Sequence, residues 1–321
     1  MKIIKKAWLP LIGILLFAYI ISKVDLAQTF KILRKINIPI FLISVVIYIL
    51  YFIIRVVKWD YLMRQEGIYY KFKDSLTMYF VGLYLGLTTP GRIGDFSKIL
   101  YMRNDGYSTK KAFITVFLDR ISDIFFLFLS GYLAMFVFYE YFMKEIYWIS
   151  IFITLTIIII LIFFINKERS KRFIELVFNF LIPKNYKEKF KFSFSEFFED
   201  LESINKKVLF NTFLITIVSW VLVFICYYFV ALSIGIEIPF LYLVACISIS
   251  TIVTLLPISI SGIGTRDAVI IMLFSFIGIS KELAVSFSII VLFYIILIAF
   301  IGLFCWFKKP LRIGKKTQEE P

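Results

Sequence analysis

Apolar residues in this chain run in long blocks and do not alternate with polar ones. Stretches as long as a bilayer crossing occupy residues 7–22, 38–57, 112–138, 146–165, 209–234 and 283–307. A hydrocarbon core takes roughly 17–25 residues per helix. Two further apolar segments, 76–91 and 239–278, are interrupted by proline and glycine. A β-barrel would instead show short alternating strands. The pattern predicts an all-α polytopic integral membrane protein with six full spans and two Pro/Gly-broken hairpins.

Composition agrees. Of 321 residues, 61% are hydrophobic and the mean hydropathy is +0.90, whereas a soluble domain is about 45–50% apolar. The first segment has the look of a signal peptide, but no small-residue cleavage site follows it, so an uncleaved first helix is the better reading. Cys226, Cys246 and Cys305 are scattered through apolar spans and imply no disulfide framework. The chain has no histidine, which excludes histidine general-base catalysis and histidine metal ligation. No catalytic residue, metal ligand or cofactor is expected.

The formal net charge is +14, and its placement matters more than its size. Lys and Arg crowd the N-terminus (Lys2, Lys5, Lys6) and residues 58–73, 92–111, 167–207 and 308–316. Residues 139–145 hold one lysine and residues 235–239 none. The positive-inside rule then places both termini and the 167–207 loop in the cytoplasm of a cell-membrane protein. Sidedness accounts for the charge, and no nucleic-acid partner is needed. One loop dissents: residues 22–37, with Lys23, Lys31, Arg34 and Lys35, fall outside by parity.

Parity also organises the interior. The 38–57 span enters the cytoplasm and the 112–138 span leaves it, so the 76–103 segment starts and finishes inside. In the second half, the 239–278 segment starts and finishes outside. That order predicts an inverted repeat, a common architecture of secondary transporters, with one repeat near 1–140 and the other near 146–308. Together they form a single transmembrane domain, 1–308, followed by a basic tail, 309–321. Within the 166–207 loop, Phe190, Phe194, Phe197, Phe198, Leu201 and Ile204 share a helical face, as in a surface-lying amphipathic helix or one packed under the bundle.

The two breaks are alike. One holds Pro90, Gly91, Arg92, Gly94 and Asp95; the other holds Pro257, Gly262, Gly264, Arg266 and Asp267. Glycine permits close backbone approach, and non-helical backbone at membrane depth survives only inside protein or facing a watery cavity. Arg55, Asp119, Arg120, Asp123, Arg266 and Asp267 add charges within apolar segments. Each would cost about 2.5–3.5 kcal/mol unpaired at the bilayer centre. They are therefore expected to be paired or cavity-facing, with Asp119 and Asp123 on one helix face and Arg120 beside Asp123 at i, i+3. With Arg92 and Asp95 the set is balanced at four basic and four acidic groups. These eight residues are the candidate substrate-binding set, and six of them, Arg92, Asp95, Arg120, Asp123, Arg266 and Asp267, are expected to converge around one polar cavity between the halves.

These residues resemble the lysylphosphatidylglycerol synthase transmembrane family, also called UPF0104 or flippase-like. The resemblance rests on Pro90, Arg92, Gly94 and Asp95, then Asp119, Arg120 and Asp123, then Pro257, Ser259, Gly262, Gly264, Arg266 and Asp267. Arg55 to Trp59 is similar to the family's Arg-x-x-x-Trp. Asp stands at Asp95, Asp119 and Asp267 where the family is expected to carry Glu, which keeps the charge but shortens its reach. The resemblance implies movement of a phospholipid or polyprenyl phosphate between leaflets, with Arg92 and Arg266, beside helix ends whose N–H groups favour anions, on its phosphate. The family's aminoacylating synthase domain is not expected, since the sequence stops at Pro321. Two other classes fit the residues: a membrane transferase with Mg²⁺ on paired aspartates, and a non-transporting accessory subunit. A homo-oligomer is compatible with all three.

Overall fold

The computed structural model describes residues 9–138, 204–255, 259 and 261–310. The predicted 146–165 span, the amphipathic face from Phe190 to Leu201, Pro257 and most of the basic tail lie outside these residues. Among the described residues the chain is all helical. It comprises α1 (Leu9–Ser22), α2 (Leu26–Arg34), α3 (Ile38–Gln65), α4 (Phe72–Thr88), a 3₁₀ turn (Pro90–Phe96), α5 (Ser97–Asn104) and α6 (Thr109–Val137). After the undescribed segment come α7 (Lys206–Ser233), α8 (Phe240–Thr254), α9 (Thr265–Ser275) and α10 (Lys281–Lys308).

Local chemistry sets these boundaries. Asn37, Asn205 and Ser280 cap α3, α7 and α10 by accepting from the N–H of Ile40, Lys207 and Leu283, which satisfies otherwise orphan first-turn donors. Among the described residues α3, α7 and α10 are long and apolar enough to cross a membrane. α6 is as long, but carries Asp119, Arg120 and Asp123 in mid-helix. α3 runs well beyond its apolar stretch: it continues past Val57 to Gln65 and carries Lys58 into the protein interior.

α3 and α7 pack antiparallel along their lengths. The N–H of Asn37, before α3, donates to the carbonyl of Ser233 at the end of α7 (2.8 Å). At the other end, Asn211 donates to the Tyr61 hydroxyl (3.1 Å). Ser44 ties this pair to α10 through a 2.6 Å hydrogen bond with Tyr294. The outer helices pack crosswise between halves, α4 on α10 and α6 on α8. Gly302 lets α10 approach α4 so closely that a Cβ there would overlap the Phe80 carbonyl, and Gly131 leaves space for Ile252 between α6 and α8. Lys309 closes the Tyr61 end: its carbonyl accepts from the Tyr101 hydroxyl (2.5 Å) and its ammonium lies 3.7 Å from Asp74.

Candidate functional site

The buried charges gather where α3, α5 and α6 meet. One face of α3 presents Tyr51, Arg55 and Lys58, spaced at i, i+4 and i+7. One face of α6 presents Asp119, Ser122 and Asp123. Arg55 pairs with Asp123 and donates to the hydroxyls of Tyr79 (2.8 Å) and Tyr51 (2.6 Å). Lys58 lies between the two carboxylates, 3.0 Å from Asp119 and 2.9 Å from Asp123, and also donates to the Asp119 carbonyl at 3.1 Å. Lys98, on α5, reaches the other oxygen of Asp119 at 3.2 Å with its ammonium over the rings of Trp59 and Tyr79. Lys58, Lys98 and Asp119 are essentially inaccessible. A buried ion pair persists only when geometry and extra hydrogen bonds offset desolvation, and here each of these two carboxylates has two cations.

Arg120 departs from its expected partner. It faces Asp95 of the 3₁₀ turn at 2.7 Å and leaves Asp123 to α3. Asp95 is buried, yet neither of its oxygens makes a well-aligned hydrogen bond, and the same holds for Nε and Nη2 of Arg120. Oδ1 of Asp119, 3.0 Å from the Lys58 ammonium, also lacks an aligned hydrogen bond, so charge pairing holds both ends of the network. Two glycines of α4 make room for it: a Cβ on Gly86 would lie 2.7 Å from the Asp95 carboxylate, and one on Gly82 2.8 Å from the Lys98 side chain.

The break after α4 is a tight turn. The Thr89 hydroxyl donates to the Leu85 carbonyl (2.7 Å) and accepts from the Gly94 N–H (2.8 Å). A side chain at Gly94 would overlap the Leu85 carbonyl. Arg92 takes φ = 56°, a left-handed value that costs a non-glycine residue about 1–2 kcal/mol, and its side chain is exposed. The break before α9 repeats this strain at Ser261, with φ = 54°. There Asp267 reaches back to the Gly264 N–H (2.9 Å) while Arg266 donates from Nε and Nη2 to its other oxygen, at 3.0 and 2.6 Å. The Ser261 hydroxyl donates to the Leu87 carbonyl (2.8 Å) and so joins the two breaks.

The expected single cluster is therefore two. Arg55, Asp95, Asp119, Arg120 and Asp123 come together; Arg266 and Asp267 pair with each other at the second break; and Arg92 points outward. At the second break, the helix terminus expected to favour a phosphate is already capped by Asp267. Lys58 and Lys98 escape a reading of the sequence, because both follow an apolar stretch and look like loop charges. The clue is the i, i+3 step from Arg55 to Lys58. With them, the main cluster holds four cations (Arg55, Lys58, Lys98, Arg120) against three carboxylates (Asp95, Asp119, Asp123), and the balanced count no longer holds.

Comparison with known proteins places these motifs. The family model described as the lysylphosphatidylglycerol synthase TM region matches residues 7–302. A UPF0104 membrane protein of Pyrococcus horikoshii is 27% identical over 305 residues, covering 88% of this chain and 90% of that protein. One from Methanocaldococcus jannaschii is 26% identical over 307 residues, 89% of each chain. One from Methanothermobacter thermautotrophicus is 24% identical over 304 residues, 89% of this chain and 90% of its own.

Proposed function

Because the chain belongs to the lysylphosphatidylglycerol synthase transmembrane-region family, we propose that it moves a phosphate-bearing lipid between membrane leaflets, without itself catalysing a covalent reaction. The observation that carries this reading is the buried cluster with one more cation than carboxylate, lying beside the helix break after α4. A lipid head group needs a polar path with a site of matching charge, and an excess of buried cations favours an anion. Arginine suits phosphate because its planar guanidinium can bind two oxygens at once. Asp119 and Asp123, the pair that a metal-dependent transferase would need, face Lys58, Lys98 and Arg55.

An inverted repeat underlies the reading. α3 and α7 are each 28 residues long, and α6 and α10 are 29 and 28. Their first residues, with those of α4 and α8, keep nearly constant spacing between the halves: Ile38 and Lys206, Phe72 and Phe240, Thr109 and Lys281. Packing of α4 on α10 corresponds to packing of α8 on α6. The two hairpins then enter from opposite sides and meet at Ser261 and Leu87, with both chain termini cytoplasmic.

The test is leaflet sidedness in proteoliposomes, with fluorescent phosphatidylglycerol, phosphatidylethanolamine, phosphatidylcholine and a polyprenyl phosphate as probes. Protein-dependent loss of sidedness for at least one phosphate-bearing lipid, abolished by Arg120→Ala, is the expected result. No acceleration over empty liposomes for any probe, with folded protein inserted, would overturn it.

A further inference from the structure

We propose that α2 is an interfacial helix that binds the anionic head groups of membrane phospholipid, at the end of the bundle away from Lys309. The placement follows from its neighbours. α2 leads into Asn37, which bonds to the last residue of α7, whereas Tyr61, Asn211 and Lys309 mark the opposite end. α2 is held to the protein by its packing on α10.

The helix divides into three adjoining sectors at 3.6 residues per turn. Thr29, Ile32 and Leu33 face the protein, with Thr29 buried and the other two, like Ile36 just past the helix, packed against the core. Next round the helix come Leu26 and Phe30, which are 59% and 57% exposed. Beyond them lie Arg34 and Lys31, with Lys35 at the C-cap. Protein, apolar stripe and basic stripe therefore follow one another, as in a helix lying along a membrane surface with its apolar stripe among acyl chains. Arg34 bridges two sectors, its guanidinium 4.7 Å from the centre of the Phe30 ring.

Charge complementarity chooses the occupant. Residues 22–37 contain Lys23, Lys31, Arg34 and Lys35 against a single acid, Asp25. The Asp25 carboxylate is already engaged, since it accepts from the N–H groups of Ala27 (2.8 Å) and Gln28 (3.1 Å) and caps the helix. Lys31 and Lys35 have no ion-pair partner among the described residues. An aqueous loop has no use for a bare Leu26 and Phe30, and a buried protein interface would leave the lysines unpaired. A layer of phosphate groups above acyl chains satisfies both. It also gives the basic residues of this loop a role other than orienting the chain, which reconciles them with the charge rule that the loop otherwise breaks. The inference is independent of whether the core transports lipid.

The experiment uses the full chain with Cys226, Cys246 and Cys305 replaced by Ala and a fluorophore attached through Ala27→Cys, in the basic stripe, or Phe30→Cys. In phosphatidylcholine proteoliposomes, quenching is compared for acyl-nitroxide phosphatidylglycerol, acyl-nitroxide phosphatidylcholine and aqueous iodide. The label at position 30 should be quenched by both lipids and shielded from iodide. The label at position 27 should be quenched roughly twofold more by phosphatidylglycerol than by phosphatidylcholine, since each basic residue near the surface attracts anionic lipid. That preference should vanish with Lys31→Gln, Arg34→Gln and Lys35→Gln together. Equal quenching by the two lipids, free access of iodide to position 30, shielding of both labels from every quencher, or a preference that survives the triple substitution would each overturn the proposal.

Discussion

The hydroxyl of Ser261 donates to the main-chain carbonyl of Leu87 at 2.8 Å, across 174 residues of sequence. Leu87 lies in the last turn before the first helix break, and Ser261 lies within the second at φ = 54°. One side chain thus secures the meeting of the two interrupted segments while its own backbone is held in a costly conformation. Ser261→Ala should lose the bond and keep the strain, lowering stability by about 1 kcal/mol. Ser261→Gly should lose the same bond but relieve the strain, and so be the milder change. Thermal unfolding in detergent orders the two; the reverse order would separate the strain from the contact.

Glycines at the breaks should be far less replaceable than glycines in ordinary turns. A Cβ at Gly94 would overlap the Leu85 carbonyl, and one at Gly264 the Gly13 carbonyl, whereas Gly67 and Gly106 have open space around them. Gly94→Ala and Gly264→Ala are expected to cost about 3 kcal/mol or more, because main chain cannot yield as a side chain can. Gly67→Ala and Gly106→Ala carry only the penalty of positive φ, about 1–2 kcal/mol. The comparison is read from the yield of monodisperse protein and its melting temperature.

Within the buried cluster, removing an acid should do more harm than removing one of its cations. Asp119→Asn would leave Lys58 and Lys98 both short of a carboxylate, and stranding a buried charge costs about 3–5 kcal/mol. Lys98→Met preserves the packing of the side chain in the slot at Gly82, and Lys58 still neutralises Asp119. Lys98→Met should therefore be the milder of the two in thermal unfolding. Equal losses would mean that Lys98, and not Lys58, holds the carboxylate.

Arg92 and Arg266 should separate on mutation. Arg92 is exposed, so Arg92→Ala should change stability by no more than about 0.5 kcal/mol, and Arg92→Gly should stabilise by relieving positive φ. Arg266 is buried on the carboxylate that caps α9. Arg266→Ala should accordingly lower the melting temperature markedly, while Arg266→Lys should recover part of the loss. Lipid movement measured alongside tells whether Arg92 contacts the head group: transport lost in a fully stable Arg92→Ala protein is the expected outcome.

Sequence alone determined the membrane setting, the α-helical class, both helix breaks and the family. Each of these is written in local pattern: unbroken apolar length for α3, α7 and α10, and Pro-Gly-Arg and Gly-x-Gly runs where a helix cannot continue. It also placed Asp119 and Asp123 on one face, since helical spacing is a property of the chain itself, and both indeed grip Lys58. Pairing between elements was decided only by the tertiary structure. Local spacing pairs Arg120 with Asp123, three residues away, but packing of the 3₁₀ turn against α6 brings Asp95 to it and gives Asp123 to Arg55. Lys58 and Lys98 look like charges beyond the end of a span; α3 continues two turns further than its apolar run, and α5 folds back against α6, so both ammonium groups end in the interior. Hydropathy reports the average environment of a stretch. The partner that makes a single buried charge tolerable comes from another helix, and no local pattern names it.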